Sequence, residues 1–247
     1  DKLEEGCIVN SLFLDFSKAF DCLSHNCLLQ KLQTIGIVGK SAEWFQSYLI
    51  NRKQQVELQY TSNNISQKYQ SEPISIQRGV PQSSVLGSML FLLLTNYLPA
   101  HLQDSCQTVM FADDTVVTLA RKDKEQLLSS TEEAFTVTNE YCSSNHLVLN
   151  KSKTVQLGFT TKSKEANIMT QPGLESKKNT KHLGILIDSN LNWKPHIDQL
   201  CRKLSSGIYV IRRLSQVSNP EIARTAYFAL LESHLRYSIN MGGYCLF

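Results

Sequence analysis

The chain has 247 residues, 42% of them hydrophobic and 19% charged, which excludes a disordered or collagen-like chain and leaves room for one large domain or two subdomains. Its seven cysteines are an odd number with no Cys-x-x-Cys pair, so a disulfide framework is not expected; reduced thiols and an intracellular setting are. The net charge of +3 hides an asymmetry: residues 1–150 carry 11 Lys/Arg against 16 Asp/Glu (−5), and residues 151–247 carry 14 against 6 (+8).

The start, Asp1-Lys2-Leu3-Glu4-Glu5, has neither signal-peptide character nor an initiator Met, so a fragment is expected. The longest apolar patch, Met89–Leu94, reads as a core segment, and no membrane partner is expected. An apolar strand-like run from Cys7 to Leu14 ends on Asp15. After Asp21, Ser24 caps a helix with Leu28, Leu32 and Ile35 on one face, closed by Gly36. A second helix starts near Ser41 and ends at Asn51-Arg52-Lys53, where the dipole favours positive charge. Residues 54–60 and 71–77 read as strands joined by a polar loop over 61–70. Gln77 to Gly87 is a Gly/Pro-bounded turn that opens a helix running through Leu98.

Val109-Met110-Phe111-Ala112-Asp113-Asp114-Thr115-Val116-Val117 reads as two short strands with adjacent acids at the turn. Two such acids repel each other, and a hard cation held by oxygen removes the repulsion. Beside a strand ending on Asp15, they would form an acid cluster at one sheet edge, able to hold two divalent ions. Asp123–Asn145 reads as a long amphipathic helix, and a strand ends near Phe159. Residues 160–181 read as a polar surface loop with room for a short strand, and His182–Asp188 as a strand. In the next helix Trp193, Ile197, Leu200, Leu204, Ile208, Ile211 and Leu214 form a stripe, with Lys194, Arg202, Lys203, Arg212 and Arg213 off it. Asn219-Pro220 opens a last helix through about Tyr237. His25, His182, His196 and His234 show no metal-ligand spacing.

Leu14-Asp15-Phe16-Ser17-Lys18-Ala19-Phe20-Asp21 with Phe111-Ala112-Asp113-Asp114 resembles motifs A and C of reverse transcriptases, above all those of non-long-terminal-repeat (LINE-type) retrotransposons. Residues 77–87 resemble motif B, 147–154 motif D, and 182–193 motif E and the entry to the thumb. The resemblance implies an α+β fold: a ferredoxin-like palm, an antiparallel sheet backed by helices, with a remnant of the fingers over 1–181, then motif E and thumb-like helices over 182–247. It implies an RNA-directed DNA polymerase working on an RNA template, a DNA primer and deoxynucleoside triphosphates. The cofactor would be two Mg2+ ions, with Mn2+ as a substitute, held by Asp15, Asp113 and Asp114 as catalytic and metal ligands.

Phe16, Phe20, Gln82 and Lys153 would contact the nucleotide, Phe20 as a steric gate under the sugar. Gly184 would let the chain approach the primer end, and Lys194, Arg202, Lys203, Arg212 and Arg213 would bind nucleic acid. Three residues depart from the family pattern: Ser83 and Tyr97 stand where Gly and Asp are usual, and Ser88 where Pro is. The resemblance further implies fingers and endonuclease regions upstream, poor synthesis or none without the fingers, and residence in the nucleus or a cytoplasmic ribonucleoprotein. The alternative is a non-catalytic nucleic-acid-binding relic of the same fold.

Overall fold

The structure, a computed structural model, describes residues 2–62, 65–82, 84–102, 106–159, 171 and 173–242. The chain divides into two compact units, Asp1–Gln156 with Asn167–Ser176, and Leu157–Ala166 with Lys177–Phe247. The architecture is α+β.

In the first unit, β1 (Ile8–Leu14) pairs antiparallel with β7 (Asp114–Arg121), which pairs antiparallel with β6 (Gln107–Phe111). With β8 (Val155–Phe159) and β9 (Glu175–Ser176) they form a mixed sheet in the order β6-β7-β1-β8-β9, closed by parallel pairing of Val155 and Gln156 with Glu175 and Ser176. Leu12 of β1 and Val117 and Leu119 of β7 are fully buried. Helix α1 (His25–Thr34) is capped by the Ser24 hydroxyl, which accepts from Cys27 N–H, and buries Leu28 and Leu32. Helix α2 (Lys40–Leu49) follows.

Helix α3 (Val85–Thr95) is capped by Ser84, which accepts from Gly87 N–H. It stops at Asn96, and a short α4 (Leu98–Leu102) continues. The run Val85–Leu102 therefore exceeds the Met89–Leu94 patch and is apolar enough, by length and composition, to span a bilayer. Its break and the burial of Leu90, Phe91, Leu94, Leu98 and Leu102 give it the character of a core segment. Burial of Phe91 alone contributes roughly 1.5–3 kcal/mol. Helix α5 (Lys124–Ser144), capped by Asp123, packs on β1 and β7.

Residues 53–75 differ from the sequence reading. The short β2 (Lys53–Gln54) and β5 (Ile74–Ser75) pair with each other, while β3 (Glu57–Ser62), mostly within the first expected strand, pairs with β4 (Ile65–Gln70), which lies in the stretch expected to be a loop. Much of its polarity lies on one ribbon face: Lys68 bonds Glu57 at 2.7 Å, Gln70 bonds Glu57 at 2.7 Å, and Thr61 and Ser66 share a bond of 2.9 Å. Alternating residues on a pleat satisfied one another, so polar composition did not mean loop.

In the second unit, His182–Asp188 is not one strand. β10 (Asn179–His182) and β11 (Ile185–Asp188) form a hairpin around Leu183-Gly184, both at positive φ (45° and 81°). Two residues with φ above zero are what a tight hairpin turn requires. Helix α6 (Lys194–Val217) is followed by α7 (Pro220–Tyr227), a π-helical turn (Phe228–Glu232) and α8 (Ser233–Gly242). Asn219 caps α7 by accepting from Glu221 N–H at 2.6 Å. Part of the expected loop, 160–170 and 172, and the motif B residue Ser83, lie outside the described residues.

Candidate active site

The site is built by register. Leu14 pairs with Thr115 and Phe111 with Asp114, so β1 delivers Asp15 to the sheet edge where the β6–β7 turn carries Ala112 and Asp113. Ala112, the first turn residue, has φ 53°. Asp15 and Asp113 line one cavity of about 760 Å3, together with Phe16, Phe20, Gln82 and Lys153. Asp15 is half-buried and Asp113 exposed. Asp114 begins β7, exposed to solvent, and is not among the lining residues.

The Asp15 backbone is tied on both sides. Its carbonyl accepts from Asn150 N–H at 2.8 Å, and its N–H donates to Thr154 Oγ1 at 3.4 Å, which in turn donates to the Asn150 carbonyl at 2.8 Å. Ser17 N–H donates to the Val148 carbonyl at 2.7 Å. This stitching puts Lys153 into the same cavity as Asp15.

Phe16 is nearly buried, its ring edge-on to Phe91 at 6.3 Å. Phe20 tilts against the same ring at 5.2 Å while keeping a surface on the cavity, so core packing and cavity lining coexist in one side chain. Gln82 donates from Nε2 to Asp21 Oδ1 at 3.2 Å.

The sequence reading gave Asp21 no site role; here it orients a candidate nucleotide contact. It missed Asn150 as well, whose signal would have been a polar residue directly before the Lys151-Ser152-Lys153 turn. His25 is a buried structural histidine whose Nε2 bonds the Gly79 carbonyl at 2.8 Å. Gly79 itself, at φ 87°, leaves only 2.9 Å between an added Cβ and the Asp21 carbonyl oxygen. The motif B turn is thus closed onto the Asp21 loop by a position only glycine fits.

Among the described residues no three His, Cys, Asp or Glu side chains gather as a metal cluster. The donor set is a pair of carboxylates, Asp15 and Asp113, on one open cavity. Carboxylate oxygens suit a hard divalent cation that keeps further positions for water and phosphate, so the residues fit such an ion. Tyr97 lies away from this cavity. Its ring is 5.1 Å from the Lys31 ammonium, which also donates to the Leu94 carbonyl at 2.7 Å and whose pKa burial lowers.

The remaining predicted residues belong to the second unit. A Cβ on Gly184 would sit 3.3 Å from Tyr237 Cε1, so this turn is kept small by its own unit. Lys194, Arg202, Lys203, Arg212 and Arg213 are all exposed on α6. At about 100° per residue, Lys194, Arg202, Arg212 and Arg213 fall within an arc of about 100°, and Lys203 lies about 180° from Lys194. Lys203 and Gly184 line a cavity of about 200 Å3 with Lys181, His196, His234 and Tyr237. His196 Nδ1 accepts from Leu186 N–H at 3.3 Å, and burial, then Lys203, lowers its pKa.

The reverse transcriptase (RNA-dependent DNA polymerase) family matches residues 7–187. The probable RNA-directed DNA polymerase from transposon BS of Drosophila melanogaster is 26% identical over 220 residues, 83% of this chain and 23% of its own length. That from transposon X-element of the same species is 27% identical over 247 residues, 95% of this chain and 26% of its own. The chain thus spans about a quarter of the length of these curated relatives. A solved telomerase from Candida tropicalis, in complex with a fragment of telomeric RNA, matches with a TM-score of 0.51 at 14% identity, over 96% of this chain and 39% of that one; the likeness is one of fold. The chain belongs to the reverse transcriptase family, of the LINE type that its motifs resemble.

Proposed function

We propose that the chain is the polymerase portion of a retrotransposon reverse transcriptase. In this reading it adds deoxynucleotides to a primer 3′-hydroxyl along an RNA template, with palm over 1–181 and thumb over 182–247. The observation that carries the reading is the convergence of Asp15 and Asp113, from distant segments, on one cavity with Phe20, Gln82 and Lys153.

Asp15 and Asp113 would hold two Mg2+ ions. Bound there, the ions would acidify the attacking hydroxyl and neutralise the triphosphate and the departing pyrophosphate. The chain's own residues supply position. Asp15 is fixed by Asn150 and Thr154, which limits the reorganisation its carboxylate needs. Lys153 offers a cation to the phosphates. Phe20, braced by Phe91, forms a wall against a sugar 2′-hydroxyl. Gln82, oriented by Asp21, presents the rest of its amide to the nucleotide or template base.

Extension of a DNA primer on an RNA template, in Mg2+, tests the reading. Asp15→Asn and Asp113→Asn should each reduce any extension to background and weaken Mn2+ binding, with unfolding midpoints unchanged or raised because two carboxylates no longer repel. Extension by Asp113→Asn at the wild-type rate would overturn it.

A further inference from the structure

The β3–β4 ribbon is a sheet of its own: among the described residues neither strand pairs with any other. Two strands alone are marginal in water, and a ribbon gains stability from further strands or a covering layer. Its residues alternate between two unlike faces. Glu57, Thr61, Ser66, Lys68 and Gln70 bond one another on the polar face. Leu58 and Tyr60, with Tyr69 opposite Leu58, lie on the other face and are 65%, 62% and 58% exposed. Three large apolar side chains together on one open face mark an interaction surface rather than scattered exposure.

The two edges of the ribbon differ. The Val56 carbonyl accepts from Ser71 N–H at 2.9 Å, so the backbone groups of Val56 face β4. Antiparallel alternation turns those of Leu58 and Tyr60 the same way and leaves the N–H and C=O of Glu57, Gln59 and Thr61 on the free edge of β3. By the same count Ser66, Lys68 and Gln70 hold the free edge of β4. A lysine in the middle of an edge guards it against pairing with another strand. β3 has no such guard: after Glu57 it carries neither charge nor proline.

We propose that β3 pairs with β3 of a second copy of this chain, antiparallel about a two-fold axis at Gln59, to make a four-stranded sheet in the order β4-β3-β3-β4. Glu57 then lies opposite Thr61 of the other copy, Leu58 opposite its Tyr60, and Gln59 opposite its Gln59. Each residue with outward backbone groups meets another such residue, so the free edge is fully used. No like charges face each other, and Glu57 already has Lys68 of its own ribbon at 2.7 Å. Leu58 and Tyr60 of the other copy form a non-hydrogen-bonded pair, where side chains come closest, and each Leu58 is flanked by two tyrosines. The corresponding pairing through β4 would set Lys68 against Lys68, and like charges directly opposite repel. An edge whose hydrogen bonds, charges and apolar side chains all complement themselves fits its own copy. The inference concerns assembly and does not rest on the proposed function.

Sedimentation equilibrium of the whole chain tests it. The mass should rise with concentration from one chain toward two. Gln59→Lys brings two ammonium groups together at the axis and Gln59→Glu two carboxylates, so each variant should raise the dissociation midpoint by about tenfold or more. An equimolar mixture of the two should associate at least as tightly as the parent. Gln59→Pro removes an N–H that faces outward, which an edge strand tolerates, and it should abolish the dimer. Gln59 is exposed, so the circular dichroism of all three variants should match the parent's.

A chain that stays monomeric at every soluble concentration overturns the proposal, as does a dimer that the Gln59 variants leave intact. Dimers weakened by both charged variants and not restored by mixing them overturn the two-fold register. Association seen only when an oligouridylate is added assigns the ribbon to nucleic acid, and overturns the second copy as its occupant.

Discussion

Ala112 stands at φ 53° in the two-residue turn that carries Asp113. A side chain with a Cβ costs about 1–2 kcal/mol there, and a glycine costs roughly 0.4–1 kcal/mol more in the unfolded chain. Ala112→Gly should therefore stabilise the protein by roughly 0.5–1 kcal/mol, read as a higher urea midpoint at constant slope. Phe20 bears on selectivity. Phe20→Val keeps part of the contact with Phe91 but shortens the wall, so ribonucleotide incorporation should rise relative to deoxynucleotide. An unchanged ratio would leave Phe20 a core residue only. Tyr141 bears on pH: burial raises its phenol from 10.0 to about 12, and its hydroxyl donates to the Leu94 carbonyl at 2.6 Å. A raised pKa means stability intact below about pH 10 and lost as the pH climbs through about 12. Tyr141→Phe should flatten the alkaline arm of the stability curve in that window, after a small loss at neutral pH from the missing hydrogen bond.

At the scale of elements, the tightest junction lies between α3 and the motif B turn. A Cβ on Gly87 would fall 2.5 Å from the Pro81 carbonyl and 2.9 Å from Ser84 Oγ, the cap of the same helix. Helix propensity alone makes Gly87→Ala a gain of about 1 kcal/mol. Here overpacking should win, with a net loss of about 2 kcal/mol or more in chemical denaturation. A net gain would show that the turn yields freely. Helices were the legible elements. Ser24, Asp123 and Asn219 announced their starts, and each side chain accepts the bonds that a cap should. Short strands were less legible. Residues 61–70 have the composition of a loop and the pairing of a ribbon, and Leu183-Gly184 hid a turn inside an apolar run. Glycine marked that turn; leucine at positive φ gave no sign of it.

For the whole molecule, the legible part of the site was the set of groups that motif spacing carries: Asp15, Asp113, Phe20, Gln82 and Lys153 line one cavity. The illegible part was what holds them. Asp21 and Asn150 act through backbone and side-chain bonds that no single residue type advertises. Tyr97, which departs from the family, sits against Lys31 rather than in the cavity. The charge asymmetry yields a further prediction. Lys194, Arg202, Arg212 and Arg213 share one side of α6, so replacing all four with Gln should weaken duplex binding. It should also flatten the dependence of log affinity on log salt by about 3 to 4. Replacing Lys203, on the other side, should change that slope little. Equal effects at Lys203 would mean that the helix face does not matter.

The pairing of Leu14 with Thr115, and of Phe111 with Asp114, turns a spatial requirement into a counting one. Each residue lost or gained along 8–14 or 114–121 shifts one strand against its neighbour and sends alternate side chains to the opposite face. For a gene copied with errors, the two kinds of mistake are then unequal. A point change in β7 can keep its register against β1, whereas deletion of a single codon there cannot, however mild the amino acid removed. Among the described residues the β3–β4 ribbon pairs only with itself and carries no such constraint, and in-frame length changes between Ser62 and Ile65 leave the register of β1 against β7 intact. In a population of such copies, surviving length variants should fall between residues 62 and 65, and be missing from β1 and β7.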